Sequence, residues 1–336
     1  MNTPVVSVVV LTFNSSKYVR RCLQSLVRQT LSDFEVLVVD AGSTDETRDI
    51  VATFDTRFRW LELPNSDMGT ARNHGMRMSQ GQFLCFLDSD DFYLPSKLER
   101  QINELQMQRH IDVVYCAAWH FRTGYADRVG LKQIAAQPVT LKDYLEGRNH
   151  NLNTMCMRRC VWEAGFAFGE GARGRYGEEW RLQLSLAQGG VPMAFHPDPL
   201  VVVELRPDSH TLWSRQWRMK REAINEIERV ASRLTPLQRA TVDVGRVTDE
   251  LRYKLLIALL LDGCRGEAAK VAKSITDTVR ARRARRVITI STLLPTFLLR
   301  KVLQWLWIWH QNRSFDWQAA TVVLKTDFAA VEATNH

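Results

Sequence analysis

The chain has 336 residues, 45% of them hydrophobic and 24% charged, a balance that excludes a disordered chain and suits one large or two ordinary globular domains. Its formal charge of +8 is unevenly placed: residues 211–336 hold 22 Lys and Arg against 12 Asp and Glu, while the rest hold 23 against 25. A nearly neutral front and a basic tail point to a binding or catalytic front and a tail that meets an anionic partner.

The chain opens with "MNTPVVSVVVLTFN". It has no basic n-region and no small-residue cleavage site, so the apolar run reads as a core strand rather than a signal peptide. "VVSVVVL" (5–11) is a β-branched run of the kind buried on both faces of a sheet. Val19, Leu23, Leu26 and Val27 then recur at helical spacing. "FEVLVVD" (34–40) predicts a second strand, and "STDE" (43–46) a capping box with Ser43 as N-cap. "RWLEL" (59–63) predicts a third strand, and 69–79 a short helix. "FLCFLD" (83–88) predicts a fourth strand. Pro95 opens a helix that carries Leu98, Ile102 and Leu105 on one face, and "IDVVYCAA" (111–118) is a fifth strand. This alternation predicts an α/β sandwich with a mostly parallel sheet. Six cysteines are scattered with no CxxC pair, which favours free thiols in a reducing compartment.

Ligands of such sheets bind beyond the carboxyl ends of the strands. Asp40 and Asp88 end strands there, and Asp88, Asp90 and Asp91 crowd one loop. Clustered carboxylates repel unless a positive charge offsets them. A divalent cation such as magnesium or manganese is the economical partner for carboxylate oxygens. A polar turn ahead of Pro95 is the alternative.

Four stretches bear on the choice: "SVVVLTFNSSKYVRRCLQSLVRQTLSDFEVLVVDAGSTDET", "DMGTARNHGM", "GQFLCFLDSDDFYLP" and "GEEW". In this order and spacing they resemble the family 2 glycosyltransferases of the GT-A fold, over roughly residues 5 to 210. The resemblance implies a nucleotide-diphospho-sugar transferase: a single Rossmann-like sandwich over 1–213, followed by a helical C-terminal region over 214–336. It sets Thr12 and Asn14 beside the nucleoside and matches Asp40 to the first acid of an Asp-Asp-Gly-Ser stretch. The second acid is Ala41 here, which leaves the nucleobase open. Asp67 and Arg72 fall in the stretch that closes over the nucleotide, where an Arg offers paired donors to a diphosphate. "DSD" matches an Asp-x-Asp signature, with Asp88 facing ribose and metal and Asp90 as direct metal ligand. Asp91 is left as a supporting residue or helix cap. Glu179 falls at the catalytic-base position, with Glu178 as fallback, and Arg206 matches a basic position in a late loop that reaches the phosphates. The two acids also suit the N-terminus of a helix starting "EEWRLQLSLA".

The implied activity is inverting transfer of a sugar from a nucleotide-sugar donor to a hydroxyl on a glycan or lipid-linked glycan acceptor in envelope polysaccharide synthesis. A catalytically weak nucleotide-sugar-binding scaffold is the alternative, resting on Ala41 and on Glu at the base position.

The tail reads helical. "RARRARR" (280–286) abuts the uncharged run 287–299, then Arg300, Lys301 and tryptophans at 305, 307 and 309. The run is shorter than the ~18–20 residues of a spanning helix, and Pro295 interrupts it. Basic residues beside Trp and Leu suit an interfacial segment over 280–311 on an anionic membrane. The expectation is a cytoplasmic protein at the inner face of the cell membrane, with no nucleic acid as partner. Packing of this segment on the protein itself is the alternative.

Overall fold

The computed structural model describes residues 3–122, 129–131, 140–145, 150–171, 177–205, 213–293, 295, 297–299 and 301. In chain order β1 (Val6–Thr12), α1 (Val19–Val27), β2 (Phe34–Asp40), α2 (Thr47–Val51), β3 (Phe58–Glu62), α3 (Met68–Met78) and β4 (Phe83–Asp88) alternate. Then come β5 (Phe92–Tyr93), α4 (Lys97–Met107), β6 (Val113–Arg122), β7 (Val129–Leu131) and α5 (Leu141–Leu145). A 3-10 turn at Leu152–Thr154 leads to β8 (Cys156–Arg158), α6 (Arg159–Glu163), α7 (Glu178–Gln188) and β9 (Met193–Leu205). Helices follow: α8 (Trp213–Ala231), α9 (Pro236–Thr241), α10 (Val244–Leu261), α11 (Arg265–Lys273) and α12 (Thr278–Leu293). One compact unit comprises the described residues of 1–140 and 149–206, and a second those of 141–148 and 207–314.

In the first unit the described strands form one sheet in the order β3-β2-β1-β4-β8-β6-β9-β5, with β7 on β6. β3, β2, β1 and β4 are parallel neighbours. β8 lies antiparallel to both β4 and β6, so β6 and its parallel partner β9 run with the first four. The sheet is therefore mostly parallel, as the alternation of elements predicts. β1 and β2 are buried along nearly their whole length because both faces are covered. Successive residues serve opposite layers: Val8, Val10, Val36 and Val38 pack with Leu23, Leu26 and Leu98, whereas Val9 and Val39 pack with Ala71, Met76 and Leu84. α3 approaches the sheet closely at Gly75, where a Cβ would lie 2.4 Å from Val9 Cγ1.

The chain runs outward from β1 to β2 and β3, then returns to place β4 on the other side of β1. That reversal opens a crevice at the carboxyl ends of β1 and β4. In register, Thr12 faces Asp40 and Leu11 faces Asp88.

Three local expectations are corrected. The "STDE" capping box does not form: α2 starts at Thr47 and its N-cap, Glu46, makes no side-chain cap bond. Ser43 donates instead to Asp40, and Asp45 accepts from the Thr47 and Ser16 N–H groups at 3.1 and 3.0 Å. Burial works against the Asp45 charge, but these bonds outweigh it and lower its pKa to about 2. Pro95 lies outside α4, before the N-cap Ser96, with its carbonyl accepting from Thr30 N–H at 2.9 Å. Phe92 and Tyr93, inside the acidic loop region, form a short strand against Val202 and Val201. The six cysteines are free, and four are buried.

The second unit is helical. Its core gathers Leu255, Leu256, Leu259 and Leu260 of α10 with Ala268 of α11 and Ala284 of α12. Thr235 and Gln238 form a capping box at α9. Gly263, with φ of +84°, turns the chain from α10 toward α11. Buried Asp249 accepts from the Thr276 and Asp277 backbone and from Arg252. Among the described residues no helix is long and apolar enough to cross a membrane.

Candidate active site

β2 ends at Asp40, which is buried. Its Oδ2 accepts from the N–H groups of Gly42 and Ser43 at 2.9 and 2.8 Å. Gly42 holds φ at +103°, a value that disfavours a side chain. The turn is tied to the end of β1, since Asn14 N–H donates to Ser43 Oγ and Thr44 N–H donates to Asn14 Oδ1, each at 2.8 Å. Between these loops sits Thr12, whose Oγ1 is buried and has no hydrogen-bond partner among the described residues. An orphaned buried hydroxyl is costly, and a polar ligand atom in the crevice would satisfy it.

β4 ends at Asp88, which is half-buried, as is Asp90. Asp91 is buried; its carboxylate accepts from Glu204 N–H at 2.8 Å and from the Asn153 side-chain amide. Burial pushes the Asp91 pKa well up, and the neighbouring charges of Asp90 and Asp88 add to the shift. It is therefore neither exposed nor a helix cap. Arg21 pairs with Glu204 and also donates to the Asp90 carbonyl at 3.0 Å.

α3 is capped by Asp67, which accepts from Thr70 N–H at 2.9 Å and also from Gly171 N–H at 2.9 Å. One turn into α3, Arg72 is 2% exposed and is met by three carboxylates. Its guanidinium donates to Asp88 at 2.9 Å, to Glu179 at 3.3 Å and to Glu178. Its plane also lies 5.5 Å from the Phe168 ring centre. Burial works against its charge, but Asp88, Glu178 and Glu179 outweigh that and hold the pKa above the ordinary Arg range. Glu178 and Glu179 are the first two residues of α7, near the positive end of its dipole. Glu178 is 3% exposed and serves as Arg72's buried counter-ion. Glu179 keeps more of its side chain, 27%, open to solvent. Burial raises its pKa to about 8 against the lowering pull of Arg72; Asp88 and Glu178 push it further up.

The fold thus brings Arg72, Asp88, Glu178 and Glu179 into one cluster and holds Thr12, Asn14 and Asp40 at the adjoining strand ends. Asp67 is placed at the N-terminus of α3. Arg206 lies outside the described residues. Asn153 is a site residue the sequence pattern did not single out. Fully buried, it accepts from Asp88 N–H at 3.0 Å and donates to Asp91, so it clamps both ends of the acidic loop. Asn73, which the resemblance sets beside Arg72 in the stretch that closes over the nucleotide, bonds the backbone of Phe168 in both directions, at 2.9 and 3.0 Å. The only local signal for Asn153 was its place in an Asn-rich "NLNT" stretch.

Residues 7–170 match the model for glycosyl transferase family 2. The chain carries a family 2 glycosyltransferase domain. Relatives of the domain include the putative glycosyltransferase EpsH of Bacillus subtilis, 38% identical over 105 residues, 30% of this chain and 30% of that protein. The chain therefore spans under a third of that relative's length. Among solved structures, Staphylococcus aureus TarS 1-349 in complex with UDP-GlcNAc aligns over 89% of this chain and 90% of its own, at 20% identity and a TM-score of 0.56. The Pyrobaculum calidifontis mannosyltransferase PcManGT, in complex with GDP-Man and Mn2+, aligns over 91% and 86%, at 15% identity and a TM-score of 0.54. At these identities the likeness establishes the GT-A fold of the domain.

Asp88 and Asp90 fit a divalent cation. Both are partly exposed carboxylates at a strand end, and hard oxygen donors of this kind suit magnesium or manganese. Among the described residues no three His, Cys, Asp or Glu side chains cluster in a metal-binding arrangement. A pair of carboxylates suits a cation that shares its remaining positions with water and substrate phosphates.

Proposed function

We propose that the family 2 domain is an inverting, metal-dependent glycosyltransferase. It transfers a sugar from a nucleotide-diphosphate donor to a hydroxyl of a glycan or lipid-linked glycan acceptor in cell-envelope polysaccharide synthesis, at the inner face of the membrane. The observation that carries this reading is Arg72, which joins the strand-end carboxylate Asp88 to Glu178 and Glu179 at the start of α7. That arrangement sets a donor-side acid next to a partly exposed carboxylate suited to base chemistry. The neighbours in complex with UDP-GlcNAc and GDP-Man support a nucleotide-sugar donor without fixing its base or sugar.

In this reading Thr12, Asn14 and Asp40 line the nucleoside end of the crevice, and the buried Thr12 hydroxyl is left to be satisfied by the ligand. Asp67 holds the start of α3 against Gly171, at the rim of the donor site. Arg206 is assigned to the phosphates on the resemblance alone. Asp88 and Asp90 would hold the divalent cation, which would supply positive charge against the diphosphate leaving group. Glu179 accepts the proton of the acceptor hydroxyl. The hydroxyl oxygen forms its bond to the anomeric carbon from the face opposite the leaving group. The bond from that carbon to the diphosphate oxygen breaks, and its electron pair leaves with the nucleoside diphosphate. Arg72 pairs with Glu178 inside the fold and steadies Glu179 beside it.

The test is a panel of nucleotide sugars, scored for binding and for hydrolysis or transfer, with and without manganese. Wild type is expected to bind one donor with metal. Asp90→Ala is expected to lose that binding, and Glu179→Gln to bind without turnover. Metal-independent binding with both variants behaving as wild type would overturn the reading. Binding without turnover in wild type would leave a scaffold instead.

A further inference from the structure

α12 is amphipathic in an unusual sense, because its solvent side is both basic and apolar. The core side is marked by Ala284 and Ser291, 0% and 1% exposed. Opposite them, at 100° per residue, Val279, Arg282, Arg283, Arg286, Ile290 and Leu293 fall within an arc of about 100°. Ile290 is 51% exposed and Leu293 77%. Beyond Pro295, Phe297 is also exposed, at 66%.

The arginines on this face are not used by the fold. Arg280, just before them, pairs with Glu250 and Asp277. Arg282, Arg283, Arg285 and Arg286 are exposed and have no carboxylate partner among the described residues. The side-chain bonds of Arg282 and Arg285 go only to carbonyls of their own helix, those of Thr278 and Ala281. A folded chain gains nothing from a block of unpaired like charges, which repel one another. Exposed large apolar side chains beside them gain nothing from water.

We infer that the outer face of α12 docks on an anionic phospholipid surface. Charge complementarity names the anion, and the apolar residues distinguish a bilayer from nucleic acid. Arginines bind headgroup phosphates while Ile290, Leu293 and Phe297 enter the boundary between headgroups and acyl chains. The sequence beyond carries Trp305, Trp307 and Trp309, residue types that favour that boundary. The helix is too short and too charged to span a bilayer, so the contact is peripheral. This surface is independent of the transfer reading, since none of its residues belongs to the candidate active site.

The experiment is flotation of the full chain with vesicles of phosphatidylcholine alone or with added phosphatidylglycerol. Wild type is expected to float only with the anionic vesicles and to be released by high salt. Arg282→Gln/Arg283→Gln/Arg286→Gln is expected to bind about a hundredfold more weakly, at roughly fivefold per arginine near the surface. Ile290→Ser/Leu293→Ser is expected to bind more weakly with less change in salt dependence. Thermal melts at 1 M salt, where repulsion among the arginines is screened, should match wild type for both variants, because the altered side chains are exposed. Equal flotation with neutral vesicles, no flotation at all, or an unaffected arginine variant would overturn the proposal. So would arginine-dependent binding of a DNA duplex by a protein that ignores vesicles. Donor hydrolysis measured on the same samples keeps failure here separate from failure of the transfer reading.

Discussion

Arg72 and the arginines of α12 are the same residue in opposite settings. Arg72 is buried and faces three carboxylates. Arg282, Arg283, Arg285 and Arg286 are exposed and face none among the described residues. A buried guanidinium must be paired, because an isolated charge in a protein interior is too costly to keep. An exposed guanidinium has no such requirement, because water and salt screen it. The first arrangement shows where the fold spends its acids, and it leaves the candidate site rich in carboxylates. The second leaves positive charge available to an outside partner. Four of the basic residues behind the tail's positive balance are these unpaired arginines.

The sharpest way to break the comparison is at the carboxylate side of the first cluster. Glu179→Gln removes the proposed base without changing shape. Transfer is expected to fall by about 100- to 10,000-fold, the usual worth of a positioned general base, with donor affinity little changed. The pH profile follows from the direction of the shift. Glu179 accepts a proton only when ionised, and its pKa is raised to about 8. The rate should therefore rise as pH climbs toward that value and level off above it. Positive charge beside Asp88 would offset one of the groups that raise the pKa, so the rising limb should fall at or below about 8 in the loaded enzyme. A rate that falls with rising pH through this range would remove Glu179 from the base role.

Next in size is the loss of the central cation. Arg72→Met keeps bulk but leaves Glu178 buried and unpaired. Breaking one side of a buried ion pair costs about 3–5 kcal/mol. Urea denaturation of the variant should show that loss in the first unit, and a loss below about 1 kcal/mol would mean Arg72 is not the buried partner described here.

The clamp on the acidic loop is worth less. Asn153→Ala removes the acceptor for Asp88 N–H and a donor to Asp91. Leaving such buried groups unpaired costs about 1–3 kcal/mol. Asp88 and Asp90 should also bind manganese more weakly in this variant, measured by titration calorimetry. Unchanged stability together with unchanged manganese affinity would remove Asn153 from a positioning role.

Asn153 also marks the limit of what the sequence makes legible. The parallel strands were readable because burial on both faces forces continuous β-branched runs such as "VVSVVVL". Asp40 and Asp88 were readable because they end such runs, where a sheet of this kind must bind. Asn153 meets Asp88 across 65 positions, and Arg21 meets Glu204 across 183, so no local pattern announces either pair. The capping box failed for a related reason. Ser43 fits the local motif, but Asp40 offers its hydroxyl a buried acceptor, and the tertiary bond wins over the local one. Arg72 stood out by its type and place; its triple pairing depended on α7, more than a hundred residues downstream.

The smallest effect tests the other half of the comparison. Along α12, Arg282 with Arg285, Arg282 with Arg286, and Arg283 with Arg286 stand three or four positions apart, as like-charge neighbours on one surface. Each such pair destabilises a helix by about 0.2–0.5 kcal/mol at low salt. Replacing all four exposed arginines by glutamine removes the repulsion and keeps helix propensity nearly constant. The variant should therefore be slightly more stable than wild type at low salt, by about 0.6–1.5 kcal/mol. The difference should vanish at 1 M salt, where the screening length falls to about 3 Å. Denaturation curves at the two ionic strengths would measure it. The sign matters more than the size: a gain means the fold bears these charges without using them, and only an external partner gives them a role. A loss would mean the arginines are paired within the protein in solution, and α12 would then belong with Arg72 rather than opposite to it.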